Sequence, residues 1–528
     1  MREVVIIGGG HNGLVTATLL AKAGLKPLVL ERAERLGGCA ITSDIGPGFR
    51  CSTLSHRAAI DPAIVRGLNL VRHGLEIVPG DALTCSPTLD GRALTLWADA
   101  QRAAGDIAVF STRDASRYAE CLASVAAVAA VLRRLISAPA PRIDSPSAAD
   151  LLALLGAGRR FRALGRTNAY RLLRWLPMPV ADFVGEWFES EPLRAVIAAG
   201  GLLGSFLGPR SAGSTAILLL LAARAGHLID PGWTCRGGIG AVADALAAAA
   251  REAGAELRTG VEVRHILVGD EGAHGVALAT GEEIQARHVV SNVDPIRTLL
   301  GLIDPIHLAP DFLNAARNIR VRGAMAKVNF AVSALPRFAG LRGLGDNDQA
   351  AAMSGCMRLA PDLDSIERAF DAAKYGRFSD RPWIELTIPS ILDPALAPSG
   401  QHVVSAYVQF TPFELRESTW DAERDRLGTI VGREIDNYAP GFERSIVARQ
   451  TITPHDLERQ FGLTGGHIFH GELAIDQLLA ARPLLGWSRY GTPIPNLYLC
   501  GSGVHPGTGL DGRTGALAAR EILKTIRG

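Results

Sequence analysis

Val4-Val5-Ile6-Ile7-Gly8-Gly9-Gly10-His11-Asn12-Gly13 opens the chain, and Pro27-Leu28-Val29-Leu30-Glu31 follows shortly after. The four apolar residues before Gly8 read as a strand covered on both faces. Leu14 to Ala23 is rich in alanine and leucine and reads as a helix that stops at Gly24. The second apolar run is another strand, so the opening is a βαβ unit. Gly8 permits the tight turn, Gly10 lets backbone N–H groups approach a pyrophosphate, and Gly13 lets the helix pack closely on the strand. The helix N-terminus adds unpaired N–H groups and a positive dipole end. Glu31 lies eighteen residues after Gly13, at the end of the second strand. A carboxylate there accepts bonds from both ribose hydroxyls and repels a 2′-phosphate, which disfavours NADP. A glycine-rich turn that binds nothing is the bland alternative, but strand, helix, second strand and acid all stand in register.

The βαβ unit does not separate FAD from NAD. The following Gly37-Gly38 pair resembles flavoproteins in which two glycines pass close to the cofactor's phosphates and ring. A simple turn would also explain the pair.

Outward from this unit, the 528 residues suffice for two or three domains. Hydrophobic residues make up 48% and charged residues 20%, as in ordinary globular enzymes. A net charge of +2 gives no reason to expect nucleic acid as a partner. The seven cysteines are scattered with no Cys-x-x-Cys pair. They suit a reducing compartment, exclude a redox-active disulfide, and have no zinc-ligand spacing, so no metal is expected. With no leader ahead of the first strand, a cytoplasmic protein is expected. The apolar runs between Ala195 and Ala223 are cut by Pro209-Arg210 and fall short of the ~18 uninterrupted residues of a spanning helix.

Further along, residues 116–136 and 148–230 read as helical, and Ala138 to Ser147 as a Pro/Ser-rich linker. Strands are expected at 260–263, 275–278 and 288–290, then at 326–332 and 402–410, with a helix over 421–438. The last segment mirrors the first: a strand at 497–500, a glycine-rich loop over 501–512, and a helix over 514–526. The expected architecture is α/β: a Rossmann-like cofactor domain built from three pieces, 1–80, 232–298 and 465–528. Inserted into it are a largely helical substrate or lid region, 81–231, and a mixed sheet-and-helix substrate domain, 299–464.

Gly10-His11-Asn12-Gly13-Leu14-Val15, Glu31-Arg32, Gly37-Gly38 and Pro47-Gly48-Phe49 together resemble the phytoene desaturase-related flavoproteins of the two-dinucleotide-binding-domain kind. Within that family the chain resembles the branch of pyridine nucleotide-disulfide oxidoreductase domain-containing protein 2. Arg236-Gly237-Gly238-Ile239-Gly240, Phe469-His470-Gly471 with Asp476-Gln477, and Leu499-Cys500-Gly501-Ser502-Gly503 with His505-Pro506-Gly507 are similar to motifs of the same family. The resemblance implies FAD as cofactor. It places the pyrophosphate on Gly8, Gly10 and Gly13, the adenosine ribose on Glu31, the adenine on the Val263 backbone, and the flavin beside Gly501 and the Leu510-Asp511-Gly512 turn, with His11, Asn12, Arg32, Gly37 and Gly38 as further cofactor-binding residues. A helix beginning near Asp511 would aim its positive end at the flavin carbonyl that gathers charge on reduction. Asp511 could instead cap that helix. Many relatives carry arginine after the Gly-Gly pair; here Cys39 stands there, leaving phosphate charge to backbone dipoles or another basic residue. A covalent cysteine–flavin bond at Cys39 is the minor alternative to simple packing.

No second nucleotide fingerprint is found, so hydride is expected to flow from substrate to flavin, with oxygen or a quinone as acceptor. His505 and His470 are weak candidates for proton transfer, each weighed against a loop histidine bonded to backbone. Arg159, Arg160, Arg162, Arg166, Arg171 and Arg174 interleave with Phe161, Leu164, Tyr170, Leu172, Leu173 and Trp175. This could be a basic amphipathic surface for peripheral contact with anionic membrane, or a solvated helix pair with a buried face. The apolar stretch 195–223 lines a hydrophobic tunnel or simply packs a core. The leading reading is an FAD-dependent oxidoreductase acting on a lipophilic or unsaturated small molecule, in a carotenoid-like dehydrogenation or isomerisation. Amine oxidation is the alternative, disfavoured because Gly501 to Gly515 holds no aromatic residue. A non-catalytic escort or regulatory protein on the same fold is the alternative of another class.

Overall fold

The computed structural model describes residues 1–55, 58–142, 146–229 and 232–527. The expected linker at 138–147 runs through 143–145, which lie outside the described residues. Two seven-stranded sheets organise the chain.

The first sheet grows from the opening unit. Arg2–Ile7 pairs in parallel with Pro27–Leu30 on one side and Glu283–Ser291 on the other. Glu256–Arg258 extends it beyond Pro27–Leu30, and Leu497–Leu499 beyond Glu283–Ser291. Val4, Val5, Ile6, Leu28 and Val29 are wholly buried, as continuous apolar runs require in a sheet covered on both faces. The His11–Lys22 and Arg513–Arg527 helices pack on one another across this sheet. The antiparallel hairpin Val263–Gly269 and Gly272–Leu278 completes it. The first of these strands starts at Val263 rather than Gly260. The preceding backbone is drawn to the second strand's end instead: Gly260 N–H donates to Ala33 O at 2.9 Å and Val261 N–H to Glu31 O at 2.8 Å.

The second sheet runs in the order Ile446–Ile452, Met325–Val332, His402–Gln409, Ile384–Thr387, Cys356–Leu359, Ala82–Pro87, Ala93–Trp97. Its last two strands come from the region expected to be largely helical. They are buried on both faces and so lack the alternation that marks a half-exposed strand. The helices Thr112–Ile136, Val180–Trp187, Glu191–Ala199 and Ser214–Ala225 cover this end, sharing one large apolar core with the sheet. Among the described residues no helix is long and apolar enough to cross a membrane.

Candidate functional site

Gly8 sits at φ +94°, where a side chain would be strained. A Cβ on Gly13 would lie 2.4 Å from Gly8 O, so helix and strand approach as closely as the motif requires. Glu31 is buried at the end of its strand. Its Oε2 accepts from Gly9 N–H at 2.7 Å and its Oε1 from Ala33 N–H at 2.9 Å. These bonds aim the carboxylate at the turn and leave lone pairs for a ribose.

A single cavity runs from this turn to the second sheet. Of the residues singled out in the sequence, Gly8, Gly10, His11, Glu31, Arg32, Gly38, Val263, His470 and Leu510 line it. Gly10 and Gly38 form a narrow lane. A Cβ on Gly10 would meet Asn292 Nδ2 at 2.8 Å, and one on Gly38 would meet Gly10 Cα at 3.2 Å. This lane, with N–H groups at a helix start and no side chain in the way, fits a dinucleotide pyrophosphate.

The other candidates stand behind the wall. Asn12 is buried with its side chain turned away from the cavity: Nδ2 donates to Ser502 Oγ at 3.1 Å, and Oδ1 accepts from Gly515 N–H at 3.1 Å. It clamps the first helix to the last. Gly37 (φ +122°) and Gly13 serve close packing, and a Cβ on Gly501 would lie 2.5 Å from Asn292 O. Asp511 is fully buried; it accepts from Arg513 N–H at 2.9 Å and from the Thr508 hydroxyl, and the helix begins at Arg513. Its carboxylate closes the turn at Gly512 rather than facing a ligand. His505 does not reach the cavity, and its Nε2 is 2.9 Å from Ala138 O. Burial lowers its pKa to about 4, so it is a neutral structural histidine. His470 does face the cavity, at φ +57°, with Nδ1 lacking a partner. Burial and then Arg482 hold it at about 4, so it is neutral and takes up a proton only weakly at neutral pH.

At the departure from the family pattern, burial pushes the Cys39 thiol up to about 12. It packs with Leu54 and Ile468 as an apolar thiol, with no thiolate to attack a ring. Among the described residues, the cations that line the cavity are Arg32, Arg224, Arg297 and Arg358. Arg32 and Arg297 approach each other over Gly462, where an added Cβ would lie 3.1 and 3.3 Å from their guanidinium nitrogens. They bring positive charge to the nucleotide end, where the arginine after the Gly-Gly pair is missing. Arg297 lies in one π-helical turn (Arg297–Gly301), and nothing in its sequence context signals it. The Gly237–Gly240 glycines hold no phosphate: Gly237 N–H donates to Asp393 Oδ2 at 2.6 Å, and Gly240 N–H to Thr42 Oγ1 at 2.9 Å.

The far wall holds the residues that sequence reasoning missed. Cys356, Arg358, Glu385 and Tyr407 project from the second sheet into the cavity, beside Leu203, Ile468 and Phe469. Lys327 lies behind Tyr407, its Nζ 4.1 Å from the ring centroid, and burial lowers its pKa to about 7. The alternation in Met325-Ala326-Lys327-Val328-Asn329-Phe330 was the available signal: every second residue leaves the apolar core.

A sheet with a parallel centre, a glycine lane, a ribose carboxylate and a cavity reaching a second, mostly antiparallel sheet define a dinucleotide-binding protein of the Rossmann type. Comparison with known proteins gives the same result. The model of flavin-containing amine oxidoreductases matches residues 188–523, and that of NAD(P)-binding Rossmann-like domains matches residues 6–61. The chain belongs to the flavin-containing amine oxidoreductase family, with FAD as its cofactor. It is 37% identical to pyridine nucleotide-disulfide oxidoreductase domain-containing protein 2 of Rattus norvegicus, over 99% of this chain and 94% of that one. Identity to the lycopene-forming phytoene desaturase of Pantoea ananas is 24%, over 98% of each. A putrescine oxidase structure superposes with a TM-score of 0.61 at 16% identity, over 99% of both chains, which establishes a shared fold.

Proposed function

We propose that the protein dehydrogenates a lipophilic small molecule by hydride transfer to its FAD. The observation that carries this reading is the continuity of one cavity. The nucleotide lane at Gly10 and Glu31 opens into a chamber walled by Leu203, Leu221, Leu228, Ile468 and Phe469. FAD supplies a two-electron acceptor. In the reaction one C–H bond breaks with its electron pair leaving as hydride, a proton departs from the neighbouring atom, and a double bond forms between the two. Oxygen or a quinone then takes the two electrons. The protein's own part is to hold the reacting carbon in place and to exclude water. His470, neutral and facing the cavity, holds a proton only weakly.

A second reading, amine oxidation, gains support from one observation. The C-terminal loop lacks aromatic residues, but Tyr407, Phe461 and Phe469 line the cavity from other segments. Anaerobic titration of the purified yellow protein separates the readings. Bleaching of the band near roughly 450 nm by unsaturated lipophiles and not by primary amines supports dehydrogenation. Bleaching by amines alone favours the second reading. A colourless protein that takes up no FAD would return the escort role.

We further propose that the protein docks on anionic membrane through the helices Ala148–Ala163 and Gly165–Trp175. The expected buried face is missing from the first of these: only Asp150 is buried, while Leu152 is 69% and Leu155 65% exposed. No acidic residue occurs between Leu151 and Ala181. Arg159, Arg160, Arg162 and Arg166 form no ion pair among the described residues. Exposed leucines beside unpaired arginines match the chemistry of an anionic lipid surface. Vesicles containing phosphatidylglycerol are expected to co-sediment the protein, and phosphatidylcholine vesicles are not. Replacing Leu152 and Leu155 with aspartate should abolish the binding; binding unchanged by that replacement would refute the assignment.

A further inference from the structure

One end of the cavity lies between the tip of the second strand and the start of the Val263–Gly269 strand. Val261 N–H donates to Glu31 O at 2.8 Å, which sets Glu31 and Arg32 beside Val261, Glu262 and Val263. Glu31 also joins this end to the glycine lane, since its Oε2 accepts from Gly9 N–H. Val261, Val263, Val293 and Leu302 line the end and belong to or pack on one apolar cluster. The charged side chains that line it are Glu31, Arg32, Glu262 and Arg297.

Arg297 is set in place through a buried carboxylate. Its own N–H donates to Asp294 Oδ1 at 2.9 Å, and the Thr464 hydroxyl donates to Asp294 Oδ2 at 2.7 Å. Asp294 is fully buried, so the turn that carries Arg297 and the loop after Phe461 are pinned to the same group. Arg32 Nη2 donates to Gln460 O at 3.1 Å and ties that loop from its other flank. Phe461, Gly462 and Leu463 of the loop line the cavity, and both guanidiniums lie against Gly462.

Charge and shape select which part of a dinucleotide this end suits. Arg297 has an ion contact with Glu262 at 4.0 Å, and Arg32 interacts with Arg297, Glu31 and Glu262. The positive charge of the two arginines is thus matched by two carboxylates, and the set does not favour a further anion such as phosphate. It presents instead a flat guanidinium beside a wall of valine and leucine. A guanidinium stacks on an aromatic face, and apolar side chains cover the opposite face, so a neutral aromatic heterocycle is the matching chemistry.

We propose that Arg297 is an adenine-binding residue: its guanidinium stacks on the adenine of FAD, with Val261, Val263 and Leu302 as the apolar wall and the 461–463 loop closing over it. The assignment concerns the cofactor and holds whichever substrate the chamber takes.

The test strips the purified protein of flavin and follows the quenching of FAD fluorescence on reconstitution, with adenosine and inorganic pyrophosphate as separate competitors. R297S and R297K should each bind FAD about tenfold more weakly, because neither offers a flat face. R297Y, which restores a planar ring without the charge, should keep most of the affinity. Adenosine competition should weaken in R297K by the same factor as FAD, while pyrophosphate competition stays as in the unaltered protein. The Arg297 side chain is 34% exposed, so these replacements do not open the core. Full FAD affinity in R297S would overturn the proposal. So would loss of FAD in R297Y, and if R297K kept its affinity at the same time, Arg297 would be acting as a charge on a phosphate.

Discussion

Glu31→Arg leaves the purified protein without flavin. The carboxylate it removes holds Gly9 N–H at 2.7 Å, inside the turn that forms the pyrophosphate lane, and Ala33 N–H at 2.9 Å, just past the second strand. A guanidinium cannot accept either bond, and it places positive charge beside Arg32. Ribose hydroxyls lose their acceptor as well. Charged hydrogen bonds contribute about 1.5–3 kcal/mol each, so losing two to the ribose weakens FAD by about a hundredfold or more. The flavin-to-protein absorbance ratio and fluorescence quenching on reconstitution measure the effect. Glu31→Gln, which keeps one acceptor oxygen, should fall between. Full flavin occupancy in Glu31→Arg would mean that the ribose lies elsewhere.

The second large effect concerns stability. Arg482 is 2% exposed and has no carboxylate partner among the described residues. Its guanidinium donates instead to backbone carbonyls of Phe469, Gly471, Glu472, Gln477 and Ser502, at 2.7 to 3.4 Å. It thereby staples the loop that carries His470 to the loop that follows the last strand. Burial lowers its pKa to about 10, so it remains charged at neutral pH. Arg482→Leu leaves several buried carbonyls without donors, each costing roughly 1–3 kcal/mol. Against a total stability of about 5–15 kcal/mol that is a severe loss. A fall in Tm of roughly ten degrees or more is expected. Arg482→Lys should recover only part, because an ammonium offers fewer donors and no planar fork. An unchanged Tm for the leucine variant would show that water can replace the staple.

The opening βαβ unit was legible because its glycines answer to local constraints: φ at Gly8, close approach at Gly10 and Gly13. Glu31 was legible for the same reason, since its place is counted from those glycines. The strands 82–87 and 93–97 were not. Burial on both faces removes the polar alternation that reveals a strand, and the strand that ties this hairpin to the sheet, 356–359, lies far away in sequence. Asn12 illustrates a different limit. Its position in the motif suggested the cofactor, yet its side chain is committed to Ser502 and Gly515, nearly the whole chain away. Lys327, Glu385 and Arg358 look like three unrelated charges in sequence. They become one row only through the register of three strand pairs. Arg297 and the exposed leucines beside Arg159 belong to the same category: their meaning depends on what the fold leaves next to them.

The Asn12–Gly515 bond also bears on how the protein is made. A ribosome delivers the glycine lane first and the Ser502–Leu510 wall last, with the whole second sheet synthesised in between. The nascent chain therefore exposes the lane long before the chamber is closed. The lane and its wall therefore meet only through segments 503 residues apart, held together by the Asn12–Gly515 bond.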